Sequence, residues 1–256
     1  MLQHVHALLP DEELVYFADS GFAPYGDKPE SVIVERALAI AAFLMTYQVK
    51  AIVVACNTAT AAAIAGLRAH YPQLKVVGVE PGLKPAAALT QSKIVGVLAT
   101  ERTLSSDKFL TLQKQTSEST QVRFLTQACT GLADQIEKGE LQSRETAAMV
   151  QRYVAPLIAE GADTIVLGCT HYPFVQSLIE QVIAATDKEI ALIDTGNAVA
   201  RQLKRLLMQH HLLRPATGEP TILSAYTTGS NTALAQAFST LLGLKPPIRE
   251  VKLRTG

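Results

Sequence analysis

No stretch of this sequence is long and apolar enough to span a bilayer. The longest uninterrupted apolar run, Ala37 to Met45, falls far short of the ~20 residues a spanning helix needs. The opening MLQHVHALLPDEE lacks a cationic start, a long apolar region and a small-residue cleavage site, so no secretory leader is expected. Charge is scarce and balanced. Lys+Arg and Asp+Glu number 23 each, leaving no net charge and no basic stripe for nucleic acid or a membrane surface. Cysteine is rarer: the 3 residues Cys56, Cys129 and Cys169 include no CxxC pair. That argues against a disulfide framework and for a reduced, cytoplasmic chain. Zinc is not expected either, because the cysteines lack close-spaced partners and the 6 histidines are scattered (His4, His6, His70, His171, His210, His211).

What is present is an α/β pattern. The 256 residues, 48% of them hydrophobic, suffice for one large domain or two of moderate size. Near-continuous apolar runs predict strands at 14–18, 51–55, 75–79, 93–99, 121–125, 163–168, 189–193 and 221–226. Amphipathic stretches between them predict helices, notably over 29–47 and over 143–161, where Gly161 is a stop signal. The alternation points to open parallel sheets.

A faint internal echo singles out two cysteines. Residues 52–58 read IVVACNT and residues 165–171 read IVLGCTH, each followed by a helical pattern. The Pro- and Gly-containing EPGLKPAAA (80–88) sits where one α/β unit would hand over to a second. Ligands of open α/β sheets bind outside the carboxyl ends of the strands. A helix beginning there offers N–H groups and a positive dipole end, which favour a thiolate and suit a carboxylate ligand. Asn57, Thr58 and Thr170 add small hydrogen-bonding side chains, and His171 is placed to tune the Cys169 thiol or to help move its proton. Inverting an amino-acid α-carbon needs one group to remove a proton and another to supply one on the opposite face, and a thiolate with a thiol can do both. Either cysteine alone reads more simply as a small buried hydrophobe. Two in matched settings favour chemistry. Cys129 has no such setting and reads as packing.

At these residues the sequence resembles the glutamate racemases, a pyridoxal-free family that supplies D-glutamate for bacterial peptidoglycan. The resembling stretches are FADSGFAPYGDKP (17–29), ACNTATAAA (55–63), GVEPGLKPA (78–86), GVLATERTL (96–104), GADTIVLGCTHYPF (161–174) and IDTGNAVARQ (193–202). The resemblance implies Cys56 and Cys169 as paired acid and base, with Asp19, Glu137 and His171 assisting. It also implies a substrate site lined by Tyr25, Gly26, Asn57, Thr58, Thr170 and His171, with no cofactor and no metal. Each has a simpler reading: a turn for Tyr25 and Gly26, helix capping for Asn57 and Thr58, a strand-end cap for Asp19, a solvated helix position for Glu137. The fold implied is two doubly wound open parallel-sheet domains with the active site in the cleft. Residues 1–90 plus 195–256 would form the first domain and 91–194 the second. A homodimer acting on glutamate in the cytoplasm is expected, without a nucleic-acid or membrane partner.

One departure stands out. Family members begin with a strand that leads into an Asp-Ser-Gly loop, whereas this sequence opens within what resembles the following helix. The Asp-Ser-Gly at Asp19–Gly21 precedes PYG and is a different element. Either the start is misassigned or trimmed and the full enzyme is normal, or the chain is a natural short form whose first sheet lacks a central strand and whose pocket lacks a wall. Two other readings remain alongside glutamate racemisation: an aspartate or hydantoin racemase, and an inactive form that binds a small acid or a protein partner. Lys28 and Lys84 read as surface or loop lysines, which counts against pyridoxal chemistry.

Overall fold

The computed structural model describes residues 1–25, 28–216 and 222–253. The chain divides into two compact units, Met1–Val79 with Gly196–Gly256, and Glu80–Thr195. The first opens with α1 (Leu2–Leu8), β1 (Leu14–Ala18), α2 (Glu30–Met45), β2 (Ala51–Val54), α3 (Asn57–His70) and β3 (Lys75–Gly78). The second holds α4 (Leu83–Leu89), β4 (Ile94–Ala99), α5 (Glu101–Ser105), α6 (Asp107–Thr120), β5 (Arg123–Ala128), α7 (Leu132–Glu137), α8 (Arg144–Ala159), β6 (Thr164–Leu167), a 3-10 turn (Tyr172–Val175), α9 (Gln176–Ala184) and β7 (Ala191–Ile193). The chain then returns to the first unit with α10 (Gly196–Gln209), β8 (Leu223–Thr227), α11 (Asn231–Ala237), a π turn (Phe238–Leu242) and β9 (Ile248–Glu250). Among the described residues, no helix is long and apolar enough to cross a membrane.

In the second unit a fully parallel sheet runs β5-β4-β6-β7. Its apolar runs are continuous because both faces are covered. Val95, Val97 and Ala99 of β4, with Val166 of β6, join a cluster with Leu83 and Ala86 of α4 and Phe109 of α6. Leu98, Ile165 and Leu167 point the other way, into a cluster with Val150 and Leu157 of α8 and Ile179 of α9. The period of two along each strand thus sorts the side chains to two helical layers. Gly161 closes α8 with φ +94°, a left-handed conformation suited to glycine at a helix end. The hand-over between units falls after Val79, not after residue 90. The reason is α4, whose Leu83, Ala86 and Ala87 pack in the second unit's core.

The first unit has the same layering but two parallel ladders, β1-β8-β9 and β2-β3, and among the described residues no strand pairing joins them. Their side chains nevertheless share cores. Val15 and Phe17 of β1 pack with Ile52 of β2, Val76 of β3 and the inward side chains of α2 and α3. Leu14 of β1 packs with Val77 of β3 and with Val199 and Leu203 of α10.

Close packing at the end of β6 gives a direct test. A Cβ on Gly168 would lie 2.7 Å from the Leu98 carbonyl oxygen and 3.0 Å from the Ala99 Cβ, both on β4. Gly168→Ala must push β6 away from β4. We expect it to lower stability by about 1–3 kcal/mol, read as a lower denaturant midpoint. An unchanged midpoint would show that the strand end yields freely.

Candidate active site

Cys56 lies two positions beyond the end of β2, and Cys169 two beyond the end of β6. Both therefore occupy the carboxyl end of a parallel strand, as the sequence echo suggested. Their surroundings differ.

Cys56 is the N-cap of α3. Its backbone is extended (φ −151°, ψ 125°), and its Sγ accepts a hydrogen bond from the Ala59 N–H at 3.4 Å. Sulfur here takes the part that a serine oxygen usually plays, with the positive end of a 14-residue helix behind it. Asn57 and Thr58 are buried in the first turn of that helix. The Asn57 amide is only 7% exposed, and among the described residues neither its Oδ1 nor its Nδ2 has a hydrogen-bond partner. Such an amide costs about 1–3 kcal/mol unless something polar meets it.

The turn after β1 carries a denser network. The Asp19 carboxylate accepts four hydrogen bonds: from Arg36 Nε (2.7 Å) and the Tyr25 hydroxyl (2.6 Å) on Oδ2, and from Arg36 Nη2 (2.6 Å) and Thr228 Oγ1 (2.7 Å) on Oδ1. Burial works to raise the Asp19 pKa. The bonds from Arg36, Tyr25 and Thr228 outweigh it and hold the carboxyl below its ordinary range. Burial and the neighbouring Asp19 push the Tyr25 phenol far up, so its proton stays on and is committed to Asp19. Gly26 lies outside the described residues. Arg36 and Thr228 were not singled out from sequence, although Arg36 does leave a trace. It is a charged residue on the inward stripe of α2 that also carries Ile33, Ala41 and Leu44.

Cys169 is served by side chains. Here the chain enters the 3-10 turn before α9 begins, so the sulfur does not cap a helix as Cys56 does. His171 Nδ1 lies 3.5 Å from Cys169 Sγ, and His171 Nε2 lies 3.0 Å from Oε1 of Glu137 at the end of α7. The three residues form a thiol–imidazole–carboxylate relay. Burial disfavours the imidazolium, but the hydrogen bonds with Cys169 and Glu137 and their charges win, pushing the His171 pKa up to about 10. The bond from His171 in turn holds Glu137 below the usual carboxylate range, against the opposing effect of burial. Thr170 sits half-buried between Cys169 and His171. Cys129 is buried in the same unit, and burial pushes its thiol up to about 12, which keeps it neutral packing. Among the described residues, no group of three or more His, Cys, Asp or Glu is placed to hold a metal ion.

With this geometry established, comparison with known proteins is informative. The sequence profile of the Asp/Glu/hydantoin racemases matches residues 1–203. The chain belongs to that family. Glutamate racemase of Ectopseudomonas mendocina is 50% identical over 94% of this chain and 89% of its own length. Among solved structures, glutamate racemase isoform RacE1 of Bacillus anthracis superposes with a TM-score of 0.87 at 27% identity, covering 100% of this chain and 93% of that one. Glutamate racemase of Escherichia coli, solved with L-glutamate and the activator UDP-MurNAc-ala, gives 0.84 at 28% identity, covering 99% and 93%. The mixed α/β fold with parallel sheets is thus the racemase fold.

The relay of this racemase-family member has a titration signature. Glu137→Gln removes a negative charge beside His171, so the His171 pKa falls from about 10. Proton NMR titration of the imidazole Hε1 measures the shift, and an unmoved curve would show that Glu137 is not its cause. Because the folded pKa is raised, the stabilising contribution is complete below the ordinary value of 6.5 and is lost as pH climbs through about 10. In the variant that alkaline loss of stability shrinks.

Proposed function

We propose that this racemase-family chain interconverts L- and D-glutamate by proton transfer between Cys56, Cys169 and the substrate α-carbon. The observation that carries the reading is the matched placement of the two thiols, one in each unit, two residues beyond the end of a parallel strand. The similarity to proteins named glutamate racemase over nearly the whole chain supports the choice of substrate.

In one direction a thiolate takes the α-hydrogen, breaking the C–H bond and forming S–H. The opposite thiol then gives its proton to the other face, restoring a C–H bond with inverted configuration and leaving a new thiolate. The reverse reaction exchanges the two roles. His171, held by Glu137, supports the Cys169 sulfur as a thiolate: its Nδ1–H donates to the sulfur, and the charge of the imidazolium steadies it. The Ala59 N–H and the α3 dipole do the equivalent for Cys56. The buried Asn57 amide offers both a donor and an acceptor to the polar groups of an amino acid. Thr58, Thr170 and Tyr25 complete the proposed substrate contacts. The thiols perform the whole transfer in this reading, which calls for no cofactor. A homodimer in the cytoplasm supplying D-glutamate for peptidoglycan is the biological setting we infer.

Circular dichroism of L-glutamate with the purified chain provides the test, alongside α-hydrogen exchange in D2O. We expect decay of the optical signal with the native chain, and at least ~10²-fold slower decay for Cys56→Ser and for Cys169→Ser, since a hydroxyl is a far poorer base. Full turnover in either variant would sink the two-thiol scheme. Faster turnover of L-aspartate than of L-glutamate would transfer the assignment to aspartate. Binding of glutamate by calorimetry without any turnover would identify a binding protein instead.

A further inference from the structure

Arg36 is absent from the chemistry above, yet it is a buried cation paired with a buried carboxylate. It is 8% exposed, and its partner Asp19 is 9% exposed. Its guanidinium reaches both carboxylate oxygens, with Nε on Oδ2 and Nη2 on Oδ1. That fork leaves each oxygen able to accept one more bond, and Tyr25 and Thr228 take those places. A lysine ammonium is a point charge and cannot hold both oxygens in this geometry.

The network reaches further than the ion pair. Thr228 Oγ1 also accepts the Gly21 N–H at 3.1 Å, and the Asp19 carbonyl accepts the N–H groups of Phe22 (3.0 Å) and Ala23 (2.9 Å). The Phe22 ring meets two cations, with Lys28 Nζ at 4.6 Å and Arg36 Cζ at 4.8 Å from its centroid. Arg36 on α2 thus holds Asp19 at the start of the turn, and Thr228 ties the turn to the end of β8. Tyr25, at the end of this turn, is one of the proposed substrate contacts, and its hydroxyl is held by Asp19.

We propose that Arg36 is a positioning residue for substrate: through Asp19 it fixes Tyr25 and the turn before it, and so sets substrate affinity while touching no reacting atom. This rests on the glutamate-racemase reading. A purely structural pair would govern stability alone. A positioning pair also moves KM while sparing kcat.

Two variants test it. Arg36→Lys keeps the charge and removes the fork; Thr228→Val removes one of the four carboxylate bonds, together with the acceptor of the Gly21 N–H, and leaves the ion pair whole. Amide hydrogen exchange at Gly21, Phe22 and Ala23 reads the turn directly, and steady-state kinetics on L-glutamate reads its use. In Arg36→Lys we expect exchange there to accelerate about tenfold with α3 unchanged, and KM to rise about tenfold with kcat reduced less than about threefold. Thr228→Val should move KM and exchange at Phe22 and Ala23 in the same direction by a smaller factor, and it decides the matter by the same criteria, Gly21 aside, if Arg36→Lys does not fold. Unchanged exchange would overturn the proposal, as would accelerated exchange with unmoved KM, or a loss confined to kcat. If the native chain leaves glutamate untouched, the racemase reading fails first. The claim on substrate affinity falls with it, and loop exchange then reports only on the order of the turn.

Discussion

The Gly168 N–H donates to the Leu98 carbonyl at 2.7 Å, carrying the β4–β6 contact one residue past the last strand residue and delivering Cys169 at a fixed place. In the first unit the equivalent lock is a side chain. Thr60 Oγ1 donates to the Val54 carbonyl and accepts the Val79 N–H, both at 3.1 Å, fastening the first turn of α3 to the ends of β2 and β3. Buried backbone groups at a strand end must find partners, and the way each is satisfied determines where the next residues stand. Small residues are a consequence of this constraint. Gly168 is needed because its Cβ would strike β4, and Gly78 because its Cβ would come within 2.3 Å of Thr60 Cγ2. Both thiols inherit their placement from these locks.

From equivalent positions the two cysteines are supported by different means. Cys56 relies on backbone, a helix N-terminus with the Ala59 N–H aimed at sulfur. Cys169 relies on side chains, with His171 beside it and Glu137 behind His171. The relay holds a histidine and a carboxylate whose charges depend on one another. Chemical symmetry of the reaction does not require symmetry of the protein around it.

Much of the fold was legible because its strands are short, apolar and bounded. All eight predicted strand runs correspond to strands, β1 with the same limits and the others shifted at their ends. The ninth, Ile248–Glu250, is three residues following two prolines and carries Arg249 and Glu250, so its sequence has no apolar periodicity to read. The two cysteines were legible through their repeated context. What differs between them was not: nothing in GCTHYP says that the chain takes a 3-10 turn before its helix. The Asp19 network was beyond local reading for a plainer reason. Its members stand 17 and 209 residues from Asp19 in sequence and meet only because β1 pairs with β8 and α2 packs beside them.

That network and Asn57 mark opposite treatments of buried polarity. A carboxylate as enclosed as Asp19 is tolerated because two bonds to each oxygen replace its water, and losing Arg36 alone would leave a charge uncompensated. Each partner answers a need of another, which makes the group rigid as a whole. Asn57, next to Cys56 and as deeply buried, has neither amide atom matched. Among the described residues of the first unit, the buried side-chain atoms without a hydrogen-bond partner are the two of the Asn57 amide, at the first turn of α3. Energy withheld from the folded chain there is available to a polar ligand. The cost of the orphaned amide is one that binding can recover, at the position where the proposed chemistry requires the substrate to be held.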